Sequence, residues 1–290
     1  MKLRNCISLV VCVLYLLIYT SCTKDDKINS LEMFDEICDI ATFHGNLEGN
    51  IVVVNTQGGP LTFLDDATLN QFIDLTRTQS ALWVNVHQEQ TLNPSLFKSS
   101  DITFDEAKQH DLESVSKLKH VVDFFRNQEG KTVYVLGISF GAFITQELVA
   151  TYGIDVADGY LIMVGRLNMD EDAWQPVSEG HFTQYKYDLD GNYDIEVYGN
   201  FFREAEYRNM GRLNSGLAFN RYTKKLNGIN DLSKITYVSG SRDERVGPLS
   251  NQEVEFLRGK NADVVLSEGS GHFQAVDTGL NLLKQRFGIK

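Results

Sequence analysis

Apolar runs and helical periodicities alternate along this chain from about residue 50 to its end. Ile51-Val52-Val53-Val54-Asn55 is a continuous run of strand length, and Leu69, Phe72, Ile73 and Thr76 then recur at helical spacing. A second strand is predicted at Ala81-Leu82-Trp83-Val84-Asn85-Val86. A long helix is expected from about Thr103, capped by Thr103 or Asp105, with Leu112, Val115, Leu118, Val121, Val122 and Phe125 on one face and its end near Gly130. Thr132 to Leu136 reads as a strand, and Phe143, Ile144, Glu147, Leu148 and Tyr152 mark the helix after it. Further strands are predicted at Tyr160–Val164, Ile235–Ser239 and Val264–Leu266, with helices near Val254–Leu257 and from Phe273. Uninterrupted apolar strands alternating with helices predict an α/β class: an open, mostly parallel sheet, helices on both faces, and a site at the carboxyl ends of the strands.

Gly137-Ile138-Ser139-Phe140-Gly141 falls between a predicted strand and a predicted helix. A strand that turns at once into a helix forces the residue between them into a strained conformation, and its neighbours two positions away must be small. The serine is lifted clear of the sheet at a helix N-terminus, where main-chain N–H groups face developing negative charge. This spacing nominates Ser139 as a nucleophile. A glycine-bounded turn with an ordinary serine shares the local pattern, so the rest of the chain must decide between them.

A nucleophilic serine needs a base, and the base an orienting carboxylate. Ser239-Gly240-Ser241-Arg242-Asp243 places Asp243 just beyond one strand, and Gly269-Ser270-Gly271-His272-Phe273 places His272 just beyond the next, before the final helix. In this order the chain resembles the α/β-hydrolase family across nearly all of its length after the N-terminal segment. The resemblance implies Ser139 as nucleophile, His272 as general base and then acid, and Asp243 as the group that orients the imidazole. Asn55-Thr56-Gln57-Gly58-Gly59-Pro60 looks like the family's His-Gly-Gly-Pro loop with Gln57 in place of the His. That likeness implies main-chain N–H groups of Gly59 and Phe140 as oxyanion donors. Asp111-Leu112-Glu113-Ser114-Val115 is similar to a segment found in relatives of proline iminopeptidase. Dehalogenase and epoxide hydrolase activities are disfavoured, because those relatives carry Asp where this chain has Ser139.

The segment of about 166–232 lies where the family inserts a lid, and it holds eleven aromatic residues, among them Trp174, Tyr185, Tyr187, Tyr198, Phe201, Phe202, Tyr207 and Tyr222. Aromatic walls over a serine would exclude water and favour an apolar, aromatic or sugar-bearing acyl group, although a lid also needs a core of its own. Asp170, Glu171, Asp172, Glu179, Glu204 and Glu206 suit either a substrate's free amine or a solvated face. Asp188-Leu189-Asp190-Gly191-Asn192 does not continue as a calcium loop, because Tyr193 and Gly199 stand where an EF-hand needs Gly and Glu. A hairpin joining Phe182–Asp188 to Tyr193–Tyr198 is predicted instead. His44, His87, His110, His120 and His181 show no ligand spacing, so no metal or cofactor is expected.

Lys2 and Arg4 precede an apolar run from Ile7 to Tyr19 and then Thr20-Ser21-Cys22. The segment 1–21 resembles a bacterial lipoprotein signal, with Tyr19 where a Leu is usual; the likeness implies cleavage before Cys22 and a lipid on its thiol. An uncleaved anchor is the alternative, and either puts the domain outside the cytoplasm at a membrane surface of the cell envelope. Thr23-Lys24-Asp25-Asp26-Lys27, within a tether at 22–35, looks like a surface-export tag or any solvated linker. Residues 36–290 then suit one α/β domain with its own core. Cys38 is left without a cysteine partner and reads as a small buried hydrophobe. Loss of the leader takes the net charge from −12 to −14, which argues against nucleic acid and anionic lipid as partners. The chain reads as a lipid-anchored serine hydrolase of a small ester, amide or short peptide; the alternative is a non-catalytic ligand-binding lipoprotein on the same scaffold.

Overall fold

The computed structural model describes residues 37–198 and 204–290. The predicted leader, Cys22, the tether, Phe201 and Phe202 lie outside these residues. In chain order the elements are β1 (Ala41–Gly45), β2 (Ile51–Thr56), α1 (Asp66–Thr76), β3 (Leu82–Val86), α2 (Phe104–Asp123), β4 (Thr132–Ile138), α3 (Phe140–Tyr152) and β5 (Gly159–Met163). Then come α4 (Glu171–Ser178), β6 (Phe182–Tyr187), β7 (Tyr193–Tyr198), α5 (Ala205–Ala218), β8 (Ile235–Gly240), α6 (Asn251–Gly259), β9 (Asp263–Ser267) and α7 (His272–Arg286), with shorter helices at Glu89–Leu92, Pro94–Ser99 and Tyr222–Lys225.

Seven strands form one sheet in the order β1-β3-β2-β4-β5-β8-β9. All are parallel except β1, which pairs antiparallel with β3 at the edge. Edge strand β1 is missing from the sequence-based expectation: Thr42 and His44 break its apolar pattern because both side chains turn to the Asp66 carboxylate of α1. β6 and β7 form the expected hairpin in the insert between β5 and β8, with Tyr187 opposite Tyr193 and Asp188 bonded to Asn192 across the turn.

Helices cover both faces because every central strand is apolar on both sides. On one face Val53, Trp83, Leu136, Leu161, Met163 and Val238 pack against Leu69 and Ile73 of α1 and Val276, Leu280 and Leu283 of α7. Each such side chain contributes about 1.5–3 kcal/mol on burial. On the other face α3 is buried from Phe140 to Val149, which its lack of a polar stripe requires. Cys38, expected to be buried, is partly exposed.

Helix α2 starts at the Thr103 cap, where Thr103 and Glu106 bond reciprocally. Its buried stripe runs through Ala107, Asp111, Ser114, Val115, Leu118, Val121 and Val122. Leu112, expected on that face, is 46% exposed, since it lies one residue off the stripe that Asp111 occupies. Asp111 is fully buried with neither carboxyl oxygen hydrogen-bonded. It abuts Gly216 of α5, where an added Cβ would stand 2.2 Å from Oδ2. Glu147 of α3, itself buried, is paired with Lys225 and Asn220.

Burial, with the nearby Glu147 charge, pushes the Asp111 carboxyl well above the usual carboxylate range. The folded chain therefore holds a proton that the unfolded chain releases near its ordinary value. Stability from this group is full in acid and is lost as pH rises toward the folded value. Urea titrations between pH 4 and 8 should show wild type losing stability with rising pH relative to Asp111→Asn; parallel profiles would refute the assignment.

Candidate active site

Ser139 stands alone between β4 and α3, with φ 55° and ψ −114°, and its N–H donates to the Met163 carbonyl at 2.9 Å. The glycines two residues to either side answer to close approach. A Cβ on Gly137 would lie 2.2 Å from Thr145 Oγ1, and one on Gly141 would lie 1.9 Å from the Thr56 carbonyl oxygen at the end of β2. The helix thus starts hard against the sheet. Phe140 is the first residue of α3, so its N–H belongs to the first turn, which has no carbonyl acceptor within the helix.

Asp243 and His272 meet at the carboxyl end of the sheet, beyond β8 and β9. His272 Nδ1 lies 2.7 Å from Asp243 Oδ2, and both side chains are buried. A carboxylate only accepts, so Nδ1 carries the proton of this contact, and in the neutral imidazole that leaves the lone pair on Nε2. The other carboxylate oxygen, Oδ1, accepts the N–H groups of Arg245 and Val246 at 2.9 and 3.0 Å. The Asp243 carbonyl accepts the Tyr187 hydroxyl at 2.8 Å, so the insert hairpin braces this turn. Glu244 Oε2 accepts the His272 N–H at 3.1 Å.

Gln57, at the position of the expected histidine, fastens the loop at both ends of its amide. Nε2 donates to the Phe63 carbonyl at 2.9 Å, and Oε1 accepts the Asp65 N–H at 2.7 Å. Gln88 Nε2 holds the Gln57 carbonyl at 2.8 Å. The insert also reaches this loop: Asn214 Nδ2 donates to the Gly59 carbonyl at 3.4 Å, and Thr62 bonds Glu206.

Two cavities converge on Ser139 and Gly59. One, of about 230 Å³, lies against the insert and is lined by Phe143, Met169, Trp174, Tyr207 and Met210. The other, of about 410 Å³, is lined by Asn55, Asp65, Phe72, His272, Phe273 and Val276. The aromatic residues of the insert divide between two tasks. Trp174, Phe182 and Tyr207 line the smaller cavity, whereas Tyr185 and Tyr222 are buried where the insert meets the rest of the domain, with the Tyr185 N–H on the Glu244 carbonyl and the Tyr222 hydroxyl on the Phe143 carbonyl. None of the six acidic residues noted in the insert lines either cavity, and Asp170 pairs instead with buried Arg166.

Sequence reasoning passed over Asn55, Asn85 and Asp66. Asn55 Nδ2 donates to Asn85 Oδ1 at 2.8 Å, and Asn85 Nδ2 to Asp66 Oδ1 at 2.9 Å. Two asparagines inside apolar runs were the available signal, because a buried amide needs a partner. Among the other histidines, His44 joins Asp66, and His110 comes together with Glu89 and Glu113, their ligand-type atoms within 4.8 Å of one another. Lys117 already pairs with Glu89 there.

No family model matches the chain, and no curated protein matches it. Solved structures do. TT1662 from Thermus thermophilus is 14% identical with a TM-score of 0.53. MGS-M2, an alpha/beta hydrolase enzyme from a deep-sea metagenome library, is 13% identical with a TM-score of 0.56. E-2-(Acetamidomethylene)succinate hydrolase is 12% identical with a TM-score of 0.51. Each match covers 86% of this chain and 94% of the other. The chain has the α/β-hydrolase fold.

Ser139→Gly should melt above Ser139→Ala, because relief of about 1–3 kcal/mol of strain outweighs the roughly 0.4–1 kcal/mol by which glycine loosens the unfolded chain. Equal melting temperatures would show the elbow to be relaxed. Gly141→Ala should lower stability by at least the roughly 1–3 kcal/mol typical of overpacking, read as a drop in the urea midpoint at unchanged slope.

Proposed function

We propose that this protein is a serine hydrolase that cleaves a carboxylic ester or amide through an acyl-enzyme on Ser139. The observation that carries this reading is the buried 2.7 Å contact between Asp243 and His272, with His272 and a strained Ser139 lining one cleft. An imidazole held by a buried carboxylate in the same cleft as an elbow serine favours catalysis over passive binding. In this reading His272 Nε2 takes the Ser139 proton as Oγ attacks the carbonyl carbon. Asp243 stabilises the imidazolium, and the N–H groups of Gly59 and Phe140 receive the oxyanion. Collapse of the tetrahedral intermediate breaks the bond to the leaving group, which takes the proton from His272. Water, activated by the same imidazole, then releases the acid and restores Ser139.

The two cavities acquire different tasks from this chemistry. The leaving atom must reach His272, which lines the larger cleft, so the alcohol or amine departs on that side. The acyl group then occupies the 230 Å³ chamber against the insert, which acts as a lid. That volume, walled by Trp174, Phe143 and Met210, suits a compact apolar or aromatic acyl group. The N-terminal segment supports attachment to a membrane through a lipid on Cys22, which would place the hydrolase in the cell envelope with the larger part of its chain outside the bilayer.

A fluorophosphonate probe should label wild type and fail on Ser139→Ala and His272→Ala. Asp243→Asn should turn over a reactive aryl ester about 10⁴-fold more slowly than wild type, as expected when the imidazole loses its tautomer. Labelling that persists in Ser139→Ala, or its absence from folded wild type, would overturn the proposal.

A further inference from the structure

One residue that lines the larger cleft, Asn55, carries a hydrogen-bond acceptor that the hydrolytic chemistry does not use. Asn55, the fifth residue of β2, lines this cleft together with Ser139 and His272 and is 3% exposed. Its Oδ1 is buried and has no hydrogen-bond partner among the described residues. A buried amide oxygen left unpaired is costly, so its retention in a core strand asks for a reason.

The neighbouring side chains fix which way this amide faces. Asp66, at the start of α1, receives hydrogen bonds at Oδ1 from Thr42 Oγ1 at 2.6 Å, Asn85 Nδ2 at 2.9 Å and His44 Nε2 at 3.0 Å. Burial alone would raise the Asp66 carboxyl, but the hydrogen bonds from His44, Asn85 and Thr42 outweigh it and hold the group down to about 2. It is therefore a carboxylate, able only to accept, and Asn85 must turn its amide nitrogen toward it. Asn85, wholly buried on β3, then presents Oδ1 to Asn55, which must answer with Nδ2. Each amide dictates the next. Asn55 is left with its oxygen committed to face away from Asn85, held there by a chain that ends in a fixed negative charge.

Resting on the hydrolase reading and its assignment of the larger cleft to the leaving group, we infer that Asn55 selects substrates whose leaving group carries an N–H or O–H donor. Such a donor satisfies Oδ1, and a purely apolar leaving group of the same shape leaves it unpaired. Phe72, Val276 and Phe273 supply apolar walls around that single polar requirement. Asp65 lines the same cleft, but its two carboxylate oxygens already cap α1 through the Thr68 N–H and hydroxyl, and Arg245 stands over the Phe273 ring at 5.1 Å. The substrate class is thus an ester or amide of a hydroxylated or amine-bearing alcohol or amine, with a small apolar acyl part.

The test uses the full chain purified in detergent and butyrate esters of the three hydroxyphenols, each beside its tolyl isostere, with a methoxyphenyl series as acceptor-only control. At least one hydroxyphenyl ester should exceed its isostere in kcat/KM by about tenfold or more, mainly through KM. In Asn55→Leu that ratio should collapse toward one. Asp66→Ala, at the outer end of the chain of amides, removes the anchor and lets Asn85 and Asn55 turn; there the preference should move from hydroxyphenyl to methoxyphenyl esters even if Asn55→Leu does not fold. Fluorophosphonate labelling of wild type separates the two levels. No labelling would overturn the hydrolase reading and this inference with it. Labelling with a ratio near one for every isomer, or a ratio unchanged in both variants, would overturn this inference alone.

Discussion

The contact on which the rest of the molecule depends is the approach of helix α3 to the carboxyl ends of β2 and β4. The Gly141 backbone lies so near the Thr56 carbonyl that no side chain fits between them, and Gly137 admits Thr145 in the same way. Because the helix starts that close, the residue joining it to β4 has no relaxed conformation available, and Ser139 takes φ 55°. The strain is held by the burial of α3 from Phe140 to Val149, far larger in sum than the about 1–3 kcal/mol stored in one such residue. Packing energy spread over a helix is thus concentrated at a single serine.

Around that serine the polar groups are organised by exclusion of alternatives. Asp243 has one oxygen occupied by two main-chain N–H groups, so only the other is left for His272. Gln57 has both ends of its amide engaged, which holds the loop whose main chain faces Ser139. Asn55 and Asn85 are set by the carboxylate of Asp66 in the same manner. In a low-dielectric interior each unsatisfied group is costly, so a partly fixed network leaves its last member one orientation.

Much of this was legible before any coordinates. The runs of β2, β3, β4, β5 and β8 are apolar enough over strand length to separate them from helices despite Asn55, Asn85 and Thr236 within them, and the glycine spacing around Ser139 has a steric meaning that survives translation into structure. Edge strand β1 was not legible, because Thr42 and His44 break its apolar pattern to reach Asp66. Hydrophobicity alone puts Leu112 on the buried side of α2, whereas the helical stripe carries Asp111, a residue whose burial no periodicity announces. The placement of Asp243 beside His272 followed from chain order, but the amide chain behind Asn55 could not, since it joins β1, α1, β3 and β2 through contacts that exist only once the sheet has formed.

The insert between β5 and β8 touches the site at both of its halves. Asn214 bonds the Gly59 carbonyl, Glu206 bonds Thr62, and Tyr187 of the hairpin bonds the Asp243 carbonyl. An insert that also braces the Gly59 loop and the Asp243 turn is not an interchangeable part. Grafting a different insert onto this sheet would replace the supports of the Gly59 loop and the Asp243 turn along with the walls of the smaller cavity, so on the hydrolase reading the choice of substrate and the capacity for chemistry are tied to one segment.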